Sequence, residues 1–520
     1  MDNINWNDKT EVMELVKDDG WNLEYASEEL KDDKEIVLEA VKDVGFTLEL
    51  ASPRLKDDKE IVLEAIKKEG SILRYAGDKM KDNKEVVLEA FKTNQDSLEY
   101  ISPRLKNDIE LAEIALNKNK WNLQYFSDEL KDNKDFILKN VKEEGLILYY
   151  ASPALKNDKE VVEAACSNDV FALQWASKEM KNDRDIVSEA VKQNGYMLKF
   201  VSDELKNDKK IVENAIESNG TFIRFASETL KDNEDLALTA VQLDGYAFKF
   251  LSERLKEDKY LALKAIESRS EVLEEIPDNL KSNKNFILSA ITRNPNTFKY
   301  IEKDFKNDEE IVKRAVRNSG KMLKYTSDEF KNSSEIVKEA VKNNEEAFEY
   351  ASPELKSNRE FIKECIKINA DTIQYLPDKF LNDKEIVLSA IRLDGELFQY
   401  ASEALRKDKE VVLEAVKRDG NSIKYASDEF KSNKDIAMIA VKDWGASLQY
   451  LSKALRNDPE IVIEATKNRE SSYIYAGKEI KEKYPLLKDF KESFNKKAKS
   501  NEIKKEKATR SRVRTKGNER

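Results

Sequence analysis

The chain has 520 residues, 37% of them charged, with a net charge of -11, 14 Gly, 9 Pro and no His. Its mean hydropathy of -0.70, with no apolar run of about 18 residues, excludes a membrane-spanning helix, and the missing imidazoles remove the commonest general base and transition-metal ligand. Cys166 and Cys365 stand too far apart in sequence for a disulfide framework or a local thiolate metal site.

The first residues, MDNINWNDKTEV, carry three acids and a single base and no apolar stretch, so no secretory leader is expected and the expected residence is the cytoplasm. From about residue 8 to residue 481 the sequence repeats every 25 residues without slippage. At the multiples of 25, from Tyr25 to Tyr475, seventeen of nineteen residues are aromatic, Leu50 and Glu275 being the exceptions. We call these positions anchors. Two positions before each anchor, from Leu23 to Tyr473, every residue is apolar, and six after it stands a base everywhere except Leu381.

The second unit, Asp33-KEIVLEAVKDV-Gly45-FTLELA-Ser52-PRLKD, shows how each repeat is built. Ile36, Val37, Ala40 and Val41 fall at i, i+1, i+4 and i+5, one face of an α-helix and incompatible with strand alternation. Asp33 is a natural N-cap for that helix. Pro459, directly after Asp458, sits where a helix tolerates proline best. Gly45 is expected to end the helix in the left-handed conformation, a phase shared by eleven of the 14 glycines, so the glycines read as stops rather than phosphate cradles. A shorter helix then carries Leu48 and Ala51. Ser52 and Pro53 open a closing turn, buried through Leu55, with an N-cap followed by a first-turn proline.

No unit can bury its own apolar face, so neighbours must cover one another. The expected fold is all-α, without β-sheet: a right-handed α-solenoid or superhelix of about nineteen 25-residue repeats over residues 1–480. In that reading the aromatic anchors, the Leu48 equivalents and the long-helix stripes merge into one core. An irregular seam is expected near 270–303, where Glu275 replaces the aromatic, Pro277 and Glu302 replace Ser, and Pro295 replaces Gly.

The pattern DKEIVLEAVK-x-x-G-x-x-L-x-YAS-x-x-LK resembles the short helical repeats of domain-of-unknown-function family 4116, over about 470 residues. The resemblance implies tandem helical repeats. It implies no activity, cofactor or catalytic residue.

Residues 481–520 hold 15 basic and 6 acidic residues, net +9, which leaves -20 over residues 1–480. Residues 481–495, with Tyr484, Leu486, Leu487, Phe490 and Phe494, can form a capping helix over the last repeat. Residues 496–520 read as a basic, disordered tail. Arg510, Arg512, Arg514 and Lys516 suit contact with phosphate, an anionic membrane or the acidic body.

Repetition argues against catalysis, because Glu39, Glu64 and Glu89 recur at one helix phase as a solvated face whereas a tuned acid needs a singular environment. The KDDKE and KNDKE tracts lack the glycine turn of a Ca²⁺ loop, and N-capping accounts for their acids. The basic ladder from Lys31 onward is expected to complement a helix dipole. The aromatic ladder is expected to be core rather than a base-stacking platform, since a body of -20 repels phosphate. Cys166 and Cys365 read as small buried hydrophobes. No catalytic residue, metal site or cofactor is expected.

One feature is not demanded by the repeat. The position after the glycine is large and apolar in seven of the first ten units, as Trp21, Phe46, Trp121, Leu146, Phe171, Tyr196 and Tyr246, and in none of the last nine. Either these residues thicken the core beside the anchor four positions on, or they form an exposed docking stripe. The function expected is therefore a non-catalytic scaffold that binds protein partners through an extended acidic surface. The alternative is an anchoring or nucleic-acid-associated protein that acts through its basic C-terminal tail.

Overall fold

The computed structural model describes residues 4–501, and among these every regular element is an α- or 3₁₀-helix. The chain forms two compact units, Met1–Lys256 and Glu257–Arg520. Each is an all-α solenoid, built from one three-element repeat stacked on copies of itself. In the first unit the repeat is typified by the long helix Lys34–Asp43, the 3₁₀ helix Gly45–Leu50 and the α-turn Pro53–Lys56. Lys409–Arg418, Gly420–Tyr425 and Asp428–Lys431 are its counterparts in the second.

Local chemistry explains each boundary. The Asp33 carboxylate accepts from the N–H groups of Glu35 and Ile36 at 3.0 and 3.3 Å, satisfying two donors that the first helical turn leaves unpaired. Ser52 Oγ accepts from the N–H of Leu55 at 3.3 Å and opens the closing turn, with Pro53 at its first position. A six-residue 3₁₀ helix is longer than such helices run in isolation. Stacking sustains it here: within each unit the 3₁₀ helices pack on their own long helices and on the 3₁₀ helices of neighbouring repeats.

The end of the long helix differs from the expectation. No glycine among the described residues has a positive φ. The helix leaves instead through an extended residue, Val44 at φ -128° and ψ 99°, and Gly45 begins the next helix rather than ending the last. In the first repeat that extended residue is Asp19, which also caps the 3₁₀ helix by accepting from the N–H of Trp21 at 2.9 Å. The glycines are required by close approach: a Cβ on Gly45 would lie 2.4 Å from the carbonyl oxygen of Ala65 in the next repeat.

The core consists of Ile36, Val37, Ala40 and Val41 of the long helix, Leu48 and Ala51, and Leu55 of the turn, with their equivalents. The anchors lie outside it. Every anchor from Tyr25 to Tyr475 is exposed or half-buried, so the expectation that they merge into the core is corrected. Side chains of a short 3₁₀ helix lie about 120° apart along the chain. When Leu48 points inward, the residue two positions on is therefore rotated toward the rim.

Ties between repeats also run along the surface. Lys31 accepts from the N–H of Ser52 at 3.0 Å through its carbonyl, and Lys34 Nζ meets the N-cap carboxylate of Asp58 at 2.8 Å. Lys84–Asp108, Lys134–Asp158 and Lys284–Asp308 repeat this pairing at 2.8 to 2.9 Å. The other basic ladder serves the 3₁₀ helices: Lys131 and Lys181 donate to the carbonyls of Gln124 and Gln174 at 3.1 and 2.7 Å, and burial holds both ammonium groups below the usual lysine value.

Across 270–303 the elements continue as Ser270–Glu275, Asp278–Lys281, Lys284–Arg293 and Pro295–Lys299, the last 3₁₀ helix being one residue shorter than its equivalents. Pro277 and Glu302 provide no side-chain cap, so the departures remove hydrogen bonds without removing helices. At the C-terminal end a helix spans residues 487–501. Phe490 is buried there against Tyr473 and Tyr484, with ring centroids 5.8 and 5.6 Å away. That helix continues past residue 496, where the tail was expected to begin. The remainder of the expected tail lies outside the described residues.

Candidate partner-binding surface

The stripe residues are second in their 3₁₀ helices, and the backbone N–H of Trp21, Trp121, Phe171, Tyr196 and Tyr246 is held by the side chain two residues before it, whereas Val44 and Glu144 provide no such cap for Phe46 and Leu146. Trp121 donates to Asn119 at 3.1 Å, Phe171 to Asp169 at 2.8 Å and Tyr196 to Asn194 at 3.0 Å. With the backbone so fixed, the side chains project outward. Trp21 is 43% exposed, Trp121 48%, Phe171 39% and Tyr246 43%, while Phe46, Leu146 and Tyr196 are half-buried. None of the seven belongs to the buried core, although Phe46, Leu146 and Tyr196 are partly covered.

Three stripe rings lean on the anchor of the following repeat. Phe46 lies 6.4 Å from Tyr75, Trp121 6.0 Å from Tyr150 and Tyr196 5.5 Å from Phe225, centroid to centroid. All three contacts are edge-on, at interplanar angles of 75°, 72° and 86°, a favoured arrangement for aromatic quadrupoles. Anchors and stripe thus make one ridge along the 3₁₀ layer of the first unit. Large exposed apolar side chains of the second unit, such as Leu393 and Trp444, stand at other phases of the repeat.

In several repeats the residue just before the anchor also belongs to this ridge, a position that sequence reasoning missed. Tyr149 lies 4.7 Å from Tyr150 and 4.5 Å from Trp175. Elsewhere the same position supplies cations stacked on rings: Arg74 lies 4.6 Å from the Tyr75 centroid, Lys199 5.4 Å from Phe200 and Arg224 4.5 Å from Phe225. The residue type there varies from unit to unit, so periodicity carried no signal. The clue was the succession Lys199, Arg224 and Lys249 on an acidic background.

Burial pushes the thiols of Cys166 and Cys365 up to about 12, which leaves them protonated and inert. Among the described residues no group of three or more acidic or cysteine side chains is placed to hold a metal ion. Glu39, Glu64 and Glu89 are taken up by the lysine three residues on, in Lys42, Lys67 and Lys92. No described helix is long and apolar enough to cross a membrane. Arg510, Arg512, Arg514 and Lys516 lie outside the described residues.

A family model described as Domain of unknown function (DUF4116) matches the chain in tandem, from residues 8–56 through 133–181 and 233–281 to 433–481. From residue 233 onward successive matches begin every 25 residues, so the 49-residue match at 433–481 spans two structural repeats advanced by one. No curated protein matches the chain. The chain belongs to the DUF4116 family.

Proposed function

We propose that this DUF4116 repeat protein is a non-catalytic, cytoplasmic scaffold whose first unit docks protein partners along the ridge that includes Trp21, Phe46, Trp121, Leu146, Phe171, Tyr196 and Tyr246. The observation that carries the reading is their exposure. These residues are dispensable to the repeat, since the second unit folds with Lys321, Glu346, Asn421 and other small or polar residues at the same phase, yet they are large, apolar and accessible to solvent. A contiguous apolar surface of that kind marks an interaction site, and stacked repeats supply the rigid, extended support such surfaces need.

The test is capture of partners by the full chain against a Trp21→Ser, Phe46→Ser, Trp121→Ser, Phe171→Ser variant. The reading requires capture to be lost while the circular dichroism spectrum stays unchanged. Loss of helix in the variant, or capture undiminished, removes it. A second reading is favoured by the lysines of the 487–501 helix, Lys488, Lys491, Lys496, Lys497 and Lys499, which extend the basic character of the C-terminal end into the described residues. In that reading the C-terminal segment contacts RNA or an anionic membrane. It requires binding that fades with added salt and disappears when residues 496–520 are deleted.

A further inference from the structure

Most lysines of the long helices answer a carboxylate, as Lys134 answers Asp158 and Glu160 at 2.8 and 3.0 Å. Lys199 and Arg224, on neighbouring repeats of the first unit, have no ion pair among the described residues. The Lys199 ammonium lies 5.4 Å from the ring centroids of both Tyr196 and Phe200 and donates to the Tyr196 hydroxyl at 3.0 Å. The Arg224 guanidinium lies over Phe225. Between them is an open groove of about 450 Å³, and the carboxylates on its wall are already engaged: Asp203 by Lys206 at 3.1 Å and Glu228 by Lys231 at 2.8 Å. The groove therefore presents two uncompensated positive charges beside the ring of Phe225, on a body whose residues 1–480 carry -20.

We propose that this part of the ridge binds an extended peptide segment carrying carboxylates at positions i and i+3, with apolar side chains between and around them. The proposal rests on the docking reading above and adds the chemistry of the occupant. Neighbouring helices lie about 8 to 10 Å apart, and a segment in the polyproline II conformation advances about 3.1 Å per residue with every third side chain on the same face. Three residues therefore separate two carboxylates that meet Lys199 and Arg224 on successive repeats. Apolar side chains flanking the carboxylates reach Phe225 and Tyr196, and the ridge continues toward Trp175, which is 37% exposed. A nucleic acid fits less well, since it brings one phosphate with every base against two unmatched cations and a repelling body.

The experiment titrates the full chain with nine-residue peptides, followed by calorimetry and by tryptophan fluorescence. One peptide carries Asp at positions 3 and 6 among Leu, Phe and Ser residues. Its controls carry Lys or Ser at both positions, or Asp at 3 and 5, and a nine-nucleotide oligouridine is run beside them. The Asp 3/6 peptide is expected to bind about tenfold more tightly than each control. In a Lys199→Glu, Arg224→Glu variant the preference is expected to invert toward the Lys peptide by a similar factor, with Lys199→Gln, Arg224→Gln binding the two alike. Equal binding of the Asp, Lys and Ser peptides overturns the proposal but leaves apolar docking on the ridge standing. Tighter binding of oligouridine, or no peptide binding at all, also overturns it. The docking reading itself falls separately, if the four-fold serine variant above loses helix or captures partners as well as the unaltered chain.

Discussion

The backbone N–H of Gly20 donates to the carboxylate of Asp43 at 2.9 Å, across the boundary between two repeats. The last residue of one long helix thereby secures the start of the 3₁₀ helix in the repeat before it. Gly145 with Asn168, Gly320 with Asn343 and Gly420 with Asp443 do the same at 2.7 to 2.8 Å. Asn168 and Asn343 also reach back to cap carbonyls at the end of the preceding long helix, Lys142 and Arg317. One side chain thus joins the end of one helix to the start of another, so the stability of each repeat depends on the next.

Gly70→Ala tests whether close approach selects these glycines. Its Cβ would stand 1.9 Å from the carbonyl oxygen and 2.7 Å from the carbonyl carbon of Ala90, backbone atoms that cannot turn aside. The variant is expected to lose about 1 to 3 kcal/mol, as overpacked sites do. Urea unfolding measures it, and an unchanged midpoint contradicts the assignment.

Ser52 and Asp32 are expected to be energetically coupled. Ser52 Oγ caps Leu55 and donates to the Asp32 carboxylate of the preceding repeat, which also receives Arg54 Nε at 3.0 Å. Ser52→Ala is expected to cost about 1 kcal/mol. In a double-mutant cycle with Asp32→Ala, a coupling of about 0.5 kcal/mol or more is expected; strict additivity refutes the tie.

Acid is expected to weaken the stack. Hydrogen bonds from Lys134, Lys284 and Lys384 of the preceding repeats hold the carboxyls of Asp158, Asp308 and Asp408 below their usual value. A carboxyl depressed in the folded state contributes stability that is present above its unfolded value, about 3.9, and is lost as pH falls through the folded value. The melting temperature should therefore drop below about pH 4. Replacing the three lysines by Met should flatten that dependence, each exposed pair contributing only modestly. An equally steep acid limb in the variant counts against the pairing.

Cys166 and Cys365 should be silent in the native state. With both side chains buried and both thiols pushed up to about 12, a thiol reagent at pH 8 is expected to find two equivalents only after denaturation. Rapid labelling of either one in the native chain would show that its long helix opens locally.

Much of a single repeat was legible in its residues. Asp33 and Ser52 announce caps because capping is a contact within three residues, and Ile36, Val37, Ala40 and Val41 announce a buried stripe because helical spacing puts them on one face. The ridge was legible only in part. The change from Trp121 or Phe171 to Glu346 or Asn421 at one phase marked the stripe, but Tyr149, Lys199 and Arg224 vary from unit to unit and carry no period. Their roles come from neighbours in the adjoining repeat.

The sequence by itself determined the period, the all-α elements, their caps and the face each long helix buries, since all of these follow from interactions within one 25-residue unit. Only the tertiary structure decided that Gly45 serves the carbonyl of Ala65, that the anchors stand at the rim, and that Lys34 is spent on Asp58 while Lys199 remains unpaired. Those contacts join residues about 20 to 30 positions apart, where the register between stacked repeats, and not the pattern within one, sets which atoms meet.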